Sequence, residues 1–130
     1  MSVPETVVER VRGRPYSAFL ATSVEDRPHV APVWYLYEDG HLYCFTQGQK
    51  LANVRRNPRV ALAIEGEGSA WVALLRGTAT VEEDDDRRRA VADRLFAQYL
   101  DDDSAYRDAD GDPQGALVDI EVGSATLQEN

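Results

Sequence analysis

The sequence predicts an α+β fold, in which an antiparallel sheet or small barrel has two or three flanking helices. Several strand-like segments follow one another through hairpin turns, and helix-like segments separate them. The length of 130 residues suits one hydrophobic core. Since no repeat or linker interrupts this pattern, we expect residues 1–130 to form a single domain.

The first half of the chain is predicted to be a helix, three strands and a second helix. Val7, Val8 and Val11 would share one side of the first helix. Pro32 within the second strand favours an edge, a bulge or an interrupted ladder, and Pro58 ends the second helix. The segments are a helix over residues 4–11, strands over residues 17–23, 29–37 and 41–46 with a hairpin turn at 38–40, and a helix over residues 50–56.

The second half is predicted to add three strands and a longer helix. Gly77 indicates a bulge or a close backbone approach in the middle strand. Val91, Leu95 and Tyr99 recur at a spacing of four, and acidic residues occupy the first helical turn, where the helix dipole favours them. The segments are strands over residues 59–65, 70–81 and 115–127, a helix over residues 84–100 and an acidic loop over residues 101–113.

The charge of the chain limits its partners. A formal net charge of −9 argues against nucleic acid and against anionic membrane surfaces. Lys50 is the sole lysine, and the other 13 of the 14 basic residues are arginine. An acidic, lysine-poor surface is typical of halophilic proteins, although a GC-rich genome also favours arginine. With no signal-peptide pattern and no apolar run long enough for a membrane span, we expect a cytoplasmic protein.

No residue pattern predicts a metal site or a protein-borne nucleophile. Cys44 lies in an apolar run and is expected to be a core residue. His29 and His41 are too dissimilar in position to form a metal site. The acidic runs 84–86 and 101–103 lack the spacing of a calcium loop and are expected to be solvated. We therefore assign no catalytic residue.

The segment from Thr46 to Lys50 has the chemistry of an anion site. A strand is predicted to end at Thr46, and a helix to begin near Gly48 or Gln49. Free N–H groups at a helix start bind anions, and Gly48 allows close approach. Thr46 either caps the helix or donates to a phosphate oxygen. Lys50 opposes the helix dipole, which is reasonable if an anion binds there. An ordinary strand–turn–helix with a solvated lysine is the alternative.

The chain resembles the pyridoxamine 5′-phosphate oxidase-like flavin-binding superfamily, the split β-barrel flavoproteins. The resemblance covers about residues 15–81, and the last strand also fits. It implies a split β-barrel of the small FMN-binding type. The matching features are Ala21-Thr22, Arg27-Pro28-His29-Val30-Ala31-Pro32-Val33-Trp34-Tyr35, Gly40-His41-Leu42-Tyr43, Phe45-Thr46, Lys50-x-x-Asn53, Asn57-Pro58-Arg59-Val60-Ala61-Leu62 and Gly77.

The resemblance also implies which residues touch the cofactor. Phe45 and Thr46 would lie by the isoalloxazine ring and the ribityl phosphate. Trp71 would approach the flavin of a partner subunit, or else be a core or interface aromatic. The residues along the ring would be Ala31, Pro32, Val33 and Trp34, and those around the phosphate would be Gly48, Gln49 and Lys50.

The implied function is a flavin-dependent oxidoreductase acting on a small substrate, as a homodimer with flavin at the interface. FMN is the expected cofactor, with F420 or FAD as alternatives because Gln49 stands where an arginine often precedes the lysine. A non-enzymatic flavin carrier or electron-transfer protein, an F420-dependent reductase, and a domain that has lost its cofactor or binds haem remain open. Oxidation of pyridoxamine phosphate itself is not expected, because the C-terminal Trp and Arg pair is absent.

Overall fold

The computed structural model describes residues 3–129, so residues 1, 2 and 130 of the predicted domain lie outside the described residues. Within that range the predicted α+β fold is confirmed, with three α-helices and seven antiparallel strands in one sheet. Single 3-10 turns occupy Glu67–Ser69 and Ser104–Tyr106. The elements are α1 (Glu5–Val11), β1 (Ser17–Val24), β2 (Arg27–Trp34), β3 (Leu36–Glu38), β4 (His41–Thr46), α2 (Gln49–Arg56), β5 (Arg59–Glu65), β6 (Trp71–Glu82), α3 (Asp85–Tyr99) and β7 (Ala116–Glu129).

The strand order β2-β1-β5-β6-β7-β4-β3 shows how the sheet becomes a barrel. The two edge strands, β2 and β3, are consecutive in the chain, and Tyr35 alone separates them. One residue cannot span a flat seven-stranded sheet, in which neighbouring strands lie about 4.8 Å apart. The sheet therefore curls until its edges meet, which leaves a seam between β2 and β3.

The prediction of one continuous strand over residues 29–37 is wrong, because the chain changes partners at Tyr35. Before it, β2 pairs with β1, and after it β3 pairs with β4. The buried Tyr35 hydroxyl donates to the carbonyl of Val11 at 2.7 Å, and the Tyr35 N–H donates to the Tyr99 hydroxyl at 3.1 Å. Pro32 lies on the edge strand, as one of its predicted placements required.

The bulge in β6 is explained by residue size, and the shape of the acidic loop by charge. The predicted bulge in β6 is confirmed, with a register shift between Arg76 and Gly77. A Cβ atom on Gly77 would collide with the backbone carbonyl oxygen of Glu121, so only glycine fits. The acidic loop contains a 3-10 turn, and Arg107 organises it through ion pairs with Asp93 at 2.8 Å and Asp103 at 2.9 Å.

The core has two parts. The barrel interior is filled by alternating side chains of the strands and by α1, and the expected core residue Cys44 lies there at 1% exposure. Each buried leucine or isoleucine contributes about 1.5–3 kcal/mol. The second cluster packs Leu95 and Phe96 of α3 against Leu36 and Leu117, outside the barrel. Among the described residues, no helix is long and apolar enough to cross a membrane.

Candidate functional site

A cleft of about 400 Å³ opens beside β2, where the end of β4, the start of α2, α3 and the acidic loop come together. Its volume falls in the range of about 300–1,000 Å³ that is usual for small-molecule and cofactor sites. The lining residues are Ser17, Pro32, Val33, Trp34, Phe45, Thr46, Gln47, Lys50, Leu95, Phe96, Tyr106 and Gln114.

Thr46 carries an unsatisfied hydroxyl at the base of this cleft. It is the last residue of β4, paired with Ala116 of β7, and it is 2% exposed. Its Oγ1 atom is buried and has no hydrogen-bond partner within residues 3–129. The predicted alternative that Thr46 caps α2 is therefore wrong. A buried hydroxyl without a partner is rare in folded proteins and calls for a missing ligand or water.

The start of α2 presents unpaired backbone N–H groups, which carry partial positive charge, to the same region. Gly48 is the N-cap at φ +68°, no side chain caps the helix, and its first turn holds no acidic residue. The first N–H groups of a helix have no intrahelical partners, so they are available to an anion. Lys50 lines the cleft, and no ion pair joins it to a carboxylate in the described part of the chain.

Aromatic rings form the opposite wall. Trp34 stacks on Tyr99 with ring centroids 4.7 Å apart and an interplanar angle of 10°. Tyr106 lies 5.2 Å from Trp34 and 5.9 Å from Phe96, which in turn lies 5.9 Å from Phe45. Such a wall suits a planar, polarisable ligand, because ring stacking contributes about 0.5–1.5 kcal/mol per pair beyond the buried area.

Tyr99 fixes the position of this wall. Its hydroxyl accepts from the Tyr35 N–H and donates to the carbonyl of Tyr16 at 2.6 Å. Burial raises the pKa of Tyr99 to about 12, so the hydroxyl keeps its proton and can donate at neutral pH. Tyr99 thus holds the seam between β2 and β3 and the indole of Trp34 together.

The acidic loop closes the cleft with Tyr106 and Gln114. The N–H of Gln114 donates to the carbonyl of Tyr106 at 3.1 Å, which ties the middle of the loop to the residue that follows it. Arg107 lies over the ring of Phe96 at 5.2 Å, and Arg88 of α3 donates to the carbonyl of Gly115 at 3.0 Å. Arginine contacts from α3 and from the loop itself therefore place the loop against the cleft.

The structure brings six of the ten predicted cofactor residues to the cleft. Ala31 precedes the cleft residue Pro32 in β2 and lies opposite Leu20 of β1. Gly48 lies at the start of α2 with open space around it. Gln49 points to the other side of α2, where its amide donates to Asn53 at 2.7 Å. The six cleft-lining residues are Pro32, Val33, Trp34, Phe45, Thr46 and Lys50.

Trp71 does not line the cleft. It is 7% exposed in the barrel core, where its ring meets that of Tyr16 edge-on at 5.7 Å and the Arg10 guanidinium lies over it at 6.0 Å. Within this chain the geometry agrees with the core-aromatic interpretation. Its approach to the flavin of a partner subunit stays a prediction.

The sequence did not single out five of the twelve residues that line the cleft. One signal was available, because Tyr106 is an isolated aromatic residue in an otherwise acidic loop, where a solvated segment has no need of one. The others come from distant segments with ordinary core or loop patterns. The missed residues are Ser17, Leu95, Phe96, Tyr106 and Gln114, whereas Gln47 lies within the predicted segment from Thr46 to Lys50.

The closed antiparallel sheet with its three helices matches the fold of the pyridoxamine 5′-phosphate oxidase-like split barrels. Residues 3–128 match the model of the pyridoxamine 5′-phosphate oxidase family, and the chain therefore belongs to that family. The recognition made from residues 15–81 is thus confirmed. A curated relative, an uncharacterized protein of Rhizobium meliloti, is 42% identical over 48 residues, which span 36% of this chain and 32% of that protein.

Solved structures share the fold across almost the whole chain. A conserved hypothetical protein of Mycobacterium tuberculosis is similar at a TM-score of 0.77 and 24% identity, covering 99% of this chain and 85% of that one. An FAD-binding protein of Mesorhizobium loti matches at 0.70 and 22%, covering 96% and 91%. An F420 reductase matches at 0.67 and 23%, covering 91% and 94%. At these identities the likeness establishes the split-barrel fold.

Proposed function

We propose that this chain binds a flavin nucleotide in the cleft and acts as a flavin-dependent oxidoreductase on a small substrate. FMN is the proposed cofactor, with its phosphate between Thr46 and Lys50 and its ring system along the aromatic wall. The observation that carries the proposal is a set of three free donors among residues 3–129. The buried hydroxyl of Thr46 has no partner, Lys50 has no ion pair, and the start of α2 has no side-chain cap. A phosphate supplies acceptors to all three donors at once.

The rest of the cleft fits the remaining parts of such a cofactor. Trp34, Phe45, Phe96 and Tyr106 offer ring faces and edges to an isoalloxazine system. Backbone groups of β2 at Pro32 would face its polar rim, since Pro32 lies on the edge strand and half of the backbone groups of an edge strand are unpaired.

The protein side chains in the cleft leave redox chemistry to the cofactor. No histidine, carboxylate or cysteine is among the cleft-lining residues of the described chain, where the ionisable side chains are Lys50 and Tyr106. A bound flavin supplies hydride or electron-pair transfer, and the protein then binds, orients and excludes water. The same composition suits the alternative of a non-enzymatic flavin carrier or electron-transfer protein, which turnover assays with added reductants distinguish.

FAD and F420 are the alternative cofactors. Solved structures of similar fold include an FAD-binding protein and an F420 reductase, so the architecture accommodates each of these cofactors elsewhere. Gln49 is engaged with Asn53 and does not line the cleft, and among the described residues Lys50 is the one cationic side chain in the cleft lining. This is enough charge for one phosphate group.

We also propose that two copies pair through the outer face of the sheet. Phe19 is 45% exposed, Val30 64% and Leu74 38%, and they lie on one face of β1, β2 and β6. Phe19 lies opposite the cleft residue Pro32, so this face is continuous with the cleft. Among the described residues its groove contains Arg76 and no carboxylate, so a second copy of this acidic chain meets no concentration of negative charge there.

The binding proposal is tested by titrating FMN and riboflavin into the apo-protein and its Lys50→Ala variant. We expect the variant to lose about 1–3 kcal/mol of FMN affinity, roughly 5–150-fold, the scale for a charged hydrogen-bond partner. Riboflavin has no phosphate, so its affinity should not change. Arg12→Ala removes an exposed cation that does not line the cleft and forms no ion pair within residues 3–129, so it serves as the matched control. Equal loss for both ligands, or none for FMN, would place the phosphate elsewhere.

The pairing proposal has its own test. Sedimentation equilibrium should give twice the chain mass for the wild type and a monomer for Val30→Glu, because the glutamate would be buried without a partner in the dimer. Glu121→Lys is a control at an exposed position of β7 outside the apolar groove. A monomeric wild type would refute pairing and leave the cofactor proposal standing.

A further inference from the structure

A second polar pocket, of about 320 Å³, lies on the other side of the first turn of α2. Its walls come from the start of β2, the preceding turn and the outer side of the helix. The lining residues are Val24, Glu25, Arg27, Pro28, His29, Gln49, Ala52, Asn53 and Arg56.

An unsatisfied imidazole nitrogen lies in the wall of this pocket. The Nδ1 atom of His29 is buried and has no hydrogen-bond partner within residues 3–129. His29 lies opposite Thr22 in the β1–β2 ladder, on the inward face of the edge strand. The Oγ1 atom of Thr22 accepts from Asn53 at 3.0 Å, and no hydrogen bond joins Thr22 to the His29 Nδ1 atom among the described residues. A buried nitrogen of this kind calls for a partner from outside the protein.

Positive charge surrounds that nitrogen. Arg27 lies two residues before His29 on the same face of β2, and no ion pair holds its guanidinium among the described residues. Arg56 lies across the pocket and pairs with Glu25 at 2.7 Å. Two guanidinium groups against one carboxylate leave the pocket lining positive, in a chain whose net charge is −9.

The hydrogen-bond network beneath the pocket holds its neutral donors in place. Gln49 donates to Asn53 at 2.7 Å, and Asn53 donates to Thr22. Gln49 lines this pocket and its neighbour Lys50 lines the cleft, so the two depressions lie on either side of one helical turn. A ligand that occupies the cleft can therefore reach this pocket across the start of α2.

We propose that this pocket binds a second oxyanion, a phosphate or carboxylate group, between Arg27 and His29. Guanidinium groups bind such anions through paired, charge-assisted hydrogen bonds, and a protonated Nδ1 adds a further donor. The anion has two sources: a second acidic group on an extended flavin such as FAD or F420, or a separate small anion. The inference goes beyond the cofactor proposal; its first source rests on flavin binding in the cleft, and its second does not.

The two histidines of the chain allow a direct test by NMR of the imidazole nitrogens. Inorganic phosphate is added to the apo-protein at constant ionic strength and pH. We expect the His29 signals to move with saturation while those of His41, whose Nδ1 lies 2.7 Å from Asp119, stay in place. Arg27→Ala should weaken phosphate binding about tenfold or more, and Arg12→Ala should not weaken it. Circular dichroism verifies that both variants fold.

Flavin titrations then identify the source of the anion. If the anion belongs to the cofactor, Arg27→Ala weakens the binding of FAD or F420 about tenfold and leaves the affinities for FMN and riboflavin unchanged. If the anion is a separate molecule, Arg27→Ala leaves the affinity for every flavin unchanged, but phosphate no longer moves the His29 signals. The proposal would be overturned if the His29 signals did not move with phosphate, FAD or F420. It would also be overturned if phosphate moved the His29 signals of Arg27→Ala as strongly as those of the wild type. Neither result depends on whether FMN binds at Lys50.

Discussion

Replacing Thr46 with valine should move stability and flavin affinity in opposite directions. The hydroxyl of Thr46 is buried without a partner within the described residues. Leaving such a group unsatisfied costs about 1–3 kcal/mol, and valine of nearly the same shape removes that penalty. We therefore expect the apo-protein to gain about 1 kcal/mol, which raises its Tm by about 4 °C for a chain of this size.

The same substitution removes a donor to the proposed phosphate. We expect Thr46→Val to weaken FMN binding by about 2 kcal/mol, roughly 30-fold, in the range for hydrogen bonds to charged groups. Differential scanning calorimetry of the apo-protein and a fluorescence titration with FMN measure the two effects. A variant that is less stable than the wild type, or that binds FMN equally well, would refute the reasoning.

Thr22→Val is the matched control for this experiment. Thr22 is 3% exposed, as buried as Thr46, but its Oγ1 accepts a hydrogen bond from Asn53. Valine at this position leaves the Asn53 amide without that acceptor, so the variant should lose about 1–3 kcal/mol of stability. Stability changes of opposite sign for Thr46→Val and Thr22→Val would show that the effect depends on whether the hydroxyl has a hydrogen-bond partner and not on the residue type.

Three other predictions concern the fold and its surface. Gly77→Ala should destabilise the protein by several kcal/mol in chemical denaturation, because the new Cβ would strike the backbone at Glu121; a loss within about 0.5 kcal/mol would contradict the bulge geometry. Burial raises the pKa of Cys44 to about 12, so the thiol stays protonated at pH 8 and should resist iodoacetamide until the protein is unfolded; rapid alkylation of the native state would show that it is exposed. The Tm should rise from dilute buffer to molar KCl, because salt screens the repulsion behind a net charge of −9; full stability in dilute buffer would remove the halophilic interpretation.

Local chemistry predicted the parts of the site that are local in sequence. A strand that ends at Thr46, a glycine at positive φ and a lysine in the first helical turn are contiguous, so their spacing could be read directly. The resemblance added the neighbouring strand, and Pro32, Val33 and Trp34 do line the cleft. The side-chain direction of Gln49 was not predictable, because it depends on Asn53 and, through it, on a threonine in another strand.

The remaining wall depended on tertiary contacts that a linear pattern does not carry. Phe96 has the spacing of a core residue in an amphipathic helix, and the cleft lies at the margin of that core. Tyr106 reaches the cleft because Arg107 and arginines of α3 hold the loop in place through ion pairs and hydrogen bonds. In a sequence with so many charges, the pattern does not determine which of them pair. The break at Tyr35 likewise follows from closure of the barrel, since both flanking segments are strands by propensity.

Flavin binding is decided by the visible absorbance spectrum of the purified protein. We expect a flavin spectrum, with one FMN released per chain on denaturation, and recovery of that spectrum when FMN is returned to the apo-protein. A deazaflavin spectrum would replace FMN with F420 in the same cleft. An apo-protein that takes up no flavin at all would refute the proposed function, because the donors at Thr46 and Lys50 would then need another ligand.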